Sequence, residues 1–108
     1  MRHKFNDDLR EWHIKTRTMF PYGEAKLLAD AIQVICDSKG IPIFDSHEIR
    51  MHTSWMPGRN TTKTLLKMVK RRCLYSDIRD RGRPKMYRLL IPGNPICFDS
   101  HLLELETI

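Results

Sequence analysis

Wound at 3.6 residues per turn, the stretch from Glu24 to about Ser38 places Leu27, Leu28, Ala31, Ile32, Val34 and Ile35 on one broad face. Lys39 and Gly40 supply its C-terminal stop, so this is the strongest helix in the chain. A weaker helical pattern precedes it. Asn6 or Asp7 can cap a segment in which Phe5, Leu9, Trp12 and Met19 recur at helical spacing, and Phe20, Pro21, Tyr22 and Gly23 end it. Asp7, Asp8 and Glu11 suit the positive end of that helix. After the strong helix, Ile41 to Phe44 reads as a brief edge strand, because Pro42 removes a ladder donor. Asp45 or Ser46 then caps a short helix carrying Ile49 and ending near His52 or Thr53, and Trp55, Met56, Pro57 and Gly58 form a turn.

The next helix is capped by Asn60 or Thr61 and shows a narrow apolar stripe of Thr62, Leu65, Leu66, Val69 and Cys73. That phase turns Asn60, Thr64, Lys67 and Arg71 outward, flanked by Lys63 and Lys70. Cys73 to Ile78 and Lys85 to Ile91 follow as two strands joined by a turn-rich linker, which predicts a hairpin. In the second strand Tyr87, Leu89 and Ile91 alternate to one side and Arg88 to the other. The tail, with Leu102, Leu103 and Leu105, is expected to add a short helix capped by Asp99 or Ser100.

A chain of 108 residues at 41% hydrophobic content suits a single core and is too short for two. Cys36, Cys73 and Cys97 are odd in number and contain no CxxC pair, which argues against a disulfide framework and suits a reducing compartment. They read as small buried hydrophobes, and Trp12 and Trp55 as core or interface anchors. No apolar run has the length of a membrane span or of a signal peptide core, so the expectation is a soluble, cytoplasmic protein with no membrane partner.

Charge changes the picture most. Between Arg59 and Arg88 eleven Lys and Arg stand against Asp77 and Asp80, a local +9, while the rest of the chain sums to −3. A basic block in an otherwise mildly acidic chain points to a polyanion, with nucleic acid the first candidate.

The order of helix, short strand, helix, turn, basic helix and basic hairpin resembles the winged helix-turn-helix family over roughly Tyr22 to Pro92. Its most specific residues are RDRGRPKMYRLL, Arg79 to Leu90, where Gly-Arg-Pro followed by an aromatic and alternating apolar residues is similar to the wing of many prokaryotic regulators. The resemblance implies an α+β fold, a three-helix core plus a two-stranded β-wing, with an additional N-terminal helix. It divides the chain into residues 1–21, a dimerisation element; 22–92, the DNA-binding domain; and 93–108, a tail.

Elementary physics supports that assignment, since a helix fits the major groove and its first turns reach base edges. Asn60, Thr61, Lys63, Thr64 and Lys67 are the base-reading candidates, with Arg59 beside them, and Lys70, Arg71 and Arg72 lie further along to hold the backbone. In the wing, Arg79, Arg81, Arg83 and Lys85 are the candidates, with Arg81 and Arg83 at a tip that could enter a minor groove. Taken singly, a basic helix face is an ordinary solvated face; it is the basic helix followed directly by a basic hairpin that carries the reading.

The expected function is sequence-specific binding of double-stranded DNA by a transcriptional regulator, acting as a homodimer because one such module contacts too few base pairs to select a genomic site. Leu9 and Trp12 of the first helix and the leucines of the tail are the expected pairing surfaces. A replication or recombination accessory protein of a phage or plasmid, recruiting a protein partner from that machinery, is the alternative. An RNA-binding or protein-interaction module is the third. Asp45, Glu48 and Lys39 only loosely suggest a nuclease centre, His47 and His52 are poorly spaced for one metal-binding face, and no phosphate-cradling loop or hydrolase motif is present, so no enzyme, cofactor or metal is expected.

Overall fold

The computed structural model describes residues 2–77, 85–93 and 98. Their order is α1 (Arg2–Met19), α2 (Gly23–Lys39), β1 (Ile43–Asp45), α3 (Ser46–His52), α4 (Gly58–Lys70), β2 (Leu74–Asp77) and β3 (Met86–Leu89). The fold is α+β, four helices against a three-stranded antiparallel sheet of order β1-β3-β2. Chain order and sheet order differ because β3 inserts between its predecessors, pairing Phe44 with Tyr87 on one side and Leu74 with Leu89 on the other. The Pro42 strand is thereby an edge, as its sequence requires.

The helix boundaries have local causes. Gly40 takes the left-handed conformation at φ 72° and its N–H reaches the Cys36 carbonyl at 2.8 Å, closing α2. At the start of α3 the Asp45 carboxylate accepts from the Glu48 N–H at 2.8 Å while the Glu48 carboxylate accepts from the Asp45 N–H at 3.0 Å, a reciprocal capping box. Lys39 also donates to Glu48 at 2.9 Å, so the three residues that loosely suggested a nuclease centre are joined in tying α2 to α3.

Two boundaries differ from the sequence reading. The first helix begins at Arg2 rather than after Asn6 or Asp7. Helix α4 begins at Gly58 after Pro57, not at Asn60 or Thr61, because the Pro57 carbonyl already accepts from the Asn60 and Thr61 N–H groups at 2.9 and 3.2 Å.

One core joins every element. Phe5, Leu9 and Trp12 of α1 pack with Leu28, Ile32 and Ile35 of α2, Phe44, Ile49, Leu65, Met68, Leu74, Tyr87 and Leu89. Tyr87, Leu89 and Ile91 alternate inward as expected, and Tyr87 stacks on Phe44 at 5.3 Å between ring centres. The Trp12 indole donates to the Cys73 carbonyl at 2.8 Å, fastening α1 to the start of β2 across 61 residues of sequence. Phe98 lies against Phe5 and its N–H meets the Asp8 carboxylate at 3.3 Å.

Leu9 and Trp12, expected on a pairing surface, are thus buried within the chain's own core, among side chains of α2 and the sheet. On α2 the broad face narrows. Leu28, Ala29, Ile32, Ile35 and Cys36 face inward, whereas Leu27 and Val34 are about half exposed, at 45% and 51%. Trp55 is 58% exposed and anchors no core, because the α3–α4 turn carries it outward. Cys36 and Cys73 are free and buried, as read from the sequence. Burial pushes the Cys36 thiol up to about 12, partly countered by the Lys39 charge, and raises the Cys73 thiol as well. Cys97 and the expected tail helix lie outside the described residues. Among the described residues no helix is long and apolar enough to cross a membrane.

Candidate nucleic-acid interface

Helix α4 is amphipathic, but its phase is not the one the sequence suggested. The buried positions are Thr61, Thr64, Leu65 and Met68, an i, i+3, i+4, i+7 stripe that seats the helix on the core. The two threonines expected to read bases therefore face inward. Thr64 returns its hydroxyl proton to the Asn60 carbonyl at 2.8 Å, one turn back, and presents its methyl group to the interior. The expected stripe residues Thr62 and Leu66 are instead exposed, Leu66 at 48%. Threonine and leucine at adjacent positions allow two phases, and the observed one seats Met68 with Leu65 in the core.

What remains outward on α4 is a row of cations. Arg59, Lys63, Lys67 and Lys70 are all exposed and recur at i, i+4, i+8 and i+11, with Leu66 set among them. Just past the helix Arg71 and Arg72 are exposed too, and the Arg71 guanidinium sits over the Phe20 ring at 5.8 Å. Arg72 takes a left-handed conformation at φ 60°, the sharp step by which the chain leaves α4 for β2. Asn60 is only partly exposed, and its amide donates to the Glu24 carboxylate at the start of α2, at 3.3 Å.

The hairpin of β2 and β3 follows at once. Tyr75 and Arg88 are directly paired across it, with the guanidinium 5.9 Å from the ring centre. Lys85, at its base, is exposed; its backbone N–H is held by the Ser46 hydroxyl at 3.2 Å and its ammonium lies 5.9 Å from the Tyr87 ring. Arg79, Arg81 and Arg83, between Asp77 and Met86, lie outside the described residues.

The structure thus brings Arg59, Lys63, Lys67 and Lys70 onto one side of α4, leaves Arg71 exposed just past its end over Phe20, and removes Thr61 and Thr64 from that side. Leu66 is the residue that sequence reasoning missed. Its flanking by Lys63, Lys67 and Lys70 was the available signal, because an apolar residue within a cationic row is not read by apolar periodicity. Comparisons with protein-family models, curated proteins and solved structures found no match to this chain.

Proposed function

We propose that this chain is a winged helix-turn-helix protein that binds duplex DNA and acts as a transcriptional regulator. Helices α2, α3 and α4 with β1 are the core, α3 and α4 the helix-turn-helix, and the β2–β3 hairpin the wing. The observation that carries the reading is the division of α4 between an inward Thr61, Thr64, Leu65 and Met68 stripe and an outward Arg59, Lys63, Lys67 and Lys70 row. A helix of that build, backed by a core and about 20 Å long at 1.5 Å per residue, matches the length and width of a major-groove contact. The cations meet phosphates on both walls, Asn60 and Thr62 offer polar groups near the N-terminal end, and Leu66 suits a thymine methyl. In this reading the antiparallel β2–β3 pair, with Lys85 exposed at its base, is the wing, and the positive charge of Arg79, Arg81 and Arg83 in the sequence between its strands suits a neighbouring groove.

Equilibrium binding to a mixed-sequence duplex at varied salt tests the electrostatic part. Log affinity should fall linearly with log salt, and a flat response overturns the proposal. Selection from a random duplex pool tests the regulatory part: recovery of a defined motif is expected, and preference for structured RNA or an unenriched pool counts against it.

A further inference from the structure

Phe20, Pro21, Tyr22 and Gly23, which end α1, also build a stiff turn. The Phe20 N–H still bonds the Thr16 carbonyl at 2.9 Å, Pro21 fixes its own backbone angle, and Gly23 takes a left-handed φ of 72° where α2 begins. This turn holds the Tyr22 ring 84% exposed, more than any other large apolar side chain among the described residues. A lone tyrosine at a surface needs no explanation, but this one borders a cleft of about 330 Å³ that reaches from the turn to α4. Phe20, Pro21 and Tyr22 line it together with Ala25 of α2 and Thr64 and Lys67 of α4. Lys67 belongs to the exposed cationic row, and the exposed Arg71, one helical turn on, lies over the Phe20 ring. The cleft is thus continuous with the row of cations and adds aromatic rings beside a recess of small-ligand size.

We infer that this cleft takes one unpaired nucleobase of a bound DNA, stacked on Tyr22, with the phosphates that flank it on Lys67 and Arg71. The inference rests on the proposed DNA binding and adds to it a preference for DNA in which a base is free of its partner. Three properties of the cleft select that occupant. An exposed aromatic ring beside cations is the arrangement that holds an unstacked base, because every base offers a π-face. Glu24 also lines the cleft, and its bond to the Asn60 amide, a neutral group, leaves its negative charge in place. A phosphate is therefore repelled from the interior, whereas an uncharged heterocycle is not. Lys67 and Arg71 at the edge suit the flanking phosphates, and an apolar protein segment would make no use of them. A base held in the duplex stack cannot enter a recess of this kind, and one without a partner enters at the least cost.

Fluorescence anisotropy tests this with the full chain on three labelled probes: a mixed-sequence duplex, the same duplex with one unpaired adenine, and that duplex with an abasic nucleotide in place of the adenine. The unpaired adenine should tighten binding about tenfold over both other probes, since the abasic nucleotide keeps the local flexibility and lacks the base. Tyr22→Ala should erase that gain while leaving affinity for the paired duplex and its salt slope unchanged, and Tyr22→Phe should keep the gain. Ala25→Leu, which fills the cleft from the side of α2, should erase it as well. Equal affinity for all three probes overturns the inference and leaves the duplex reading standing, as does a gain that the abasic nucleotide reproduces or that survives Tyr22→Ala. Binding to the adenine-bearing probe alone supports the cleft and overturns the duplex reading, and a chain that binds none of the three overturns both.

Discussion

Replacing Lys63 and Lys67 by alanine separates the outward face of α4 from its inward face in a single titration. Arg59, Lys63, Lys67 and Lys70 are exposed in one row, and one further cation from the hairpin brings the engaged phosphates to about five, for a slope of log affinity on log salt of about −4.5. A rise from about 50 to about 200 mM salt then weakens wild-type binding about 500-fold. Without Lys63 and Lys67 the slope falls to about −2.7, and the same rise costs only about 40-fold. Thr64→Val is the contrasting change. Its side chain is 6% exposed and valine keeps its shape, so the variant loses one hydroxyl bond to the Asn60 carbonyl, within about 1 kcal/mol of stability, and keeps the wild-type slope and sequence preference. Fluorescence anisotropy on a labelled duplex reads both quantities. An unchanged slope in the double alanine variant, or altered sequence preference in folded Thr64→Val, would refute the assignment of the two faces.

Three further outcomes test the scaffold. Trp12→Ala should cost about 3–5 kcal/mol in urea unfolding, whereas Trp12→Phe should cost nearer 1–2 because the Cys73 carbonyl keeps its bond from the Leu90 N–H at 2.9 Å; a Trp12→Ala cost below about 1 kcal/mol would deny α1 its place in the core. Cys36 should resist thiol reagents at neutral pH, and its folded-state value of about 12 makes a sign prediction. The folded state holds the proton that the unfolded chain releases above about pH 9, so this contribution is full below about pH 9 and is lost as pH rises toward 12; Cys36→Ala should show a smaller loss of urea midpoint between about pH 8 and pH 10.5 than wild type, and equal losses would contradict it. Asp45→Ala removes the carboxylate end of the capping box and should cost about 1 kcal/mol in thermal unfolding, an indifferent melting temperature showing that α3 is held by packing alone.

What could be read from the sequence depended on whether a residue's surroundings were local. The Gly40 stop, the Asp45 cap and the alternation of Tyr87, Leu89 and Ile91 each involve neighbours within a few positions, and each appears in the fold as expected. The placing of α1 did not follow, because the Trp12 bond to Cys73 spans 61 residues and has no local signature. Helix α4 failed for a different reason. Its residues 61 to 69 mix threonine, leucine, lysine, methionine and valine so that two adjacent phases have similar apolar content, and contact with Leu74 and Leu28 decides between them. Arg79, Arg81 and Arg83, expected in a wing, lie outside the described residues and rest on the sequence alone.

The shift of phase strengthens the electrostatic argument while weakening the particular choice of base readers. Had Thr64 faced outward, the exposed side of α4 would have been a mixed polar surface in which Lys67 and Arg71 were two cations among neutral groups. With Thr61 and Thr64 inside, Arg59, Lys63, Lys67 and Lys70 form an unbroken ladder on which the first described acidic neighbour is Glu24, held to Asn60. That contact has a consequence for recognition. For Asn60 to reach an adenine edge its amide must leave Glu24, an exposed bond of 3.3 Å that water readily replaces, whereas a phosphate brought near Glu24 would be repelled. In the proposed complex Glu24 would therefore disfavour approaches that press the start of α2 against a phosphate. On the proposed reading the ladder would supply attraction without direction, and this one carboxylate part of the direction.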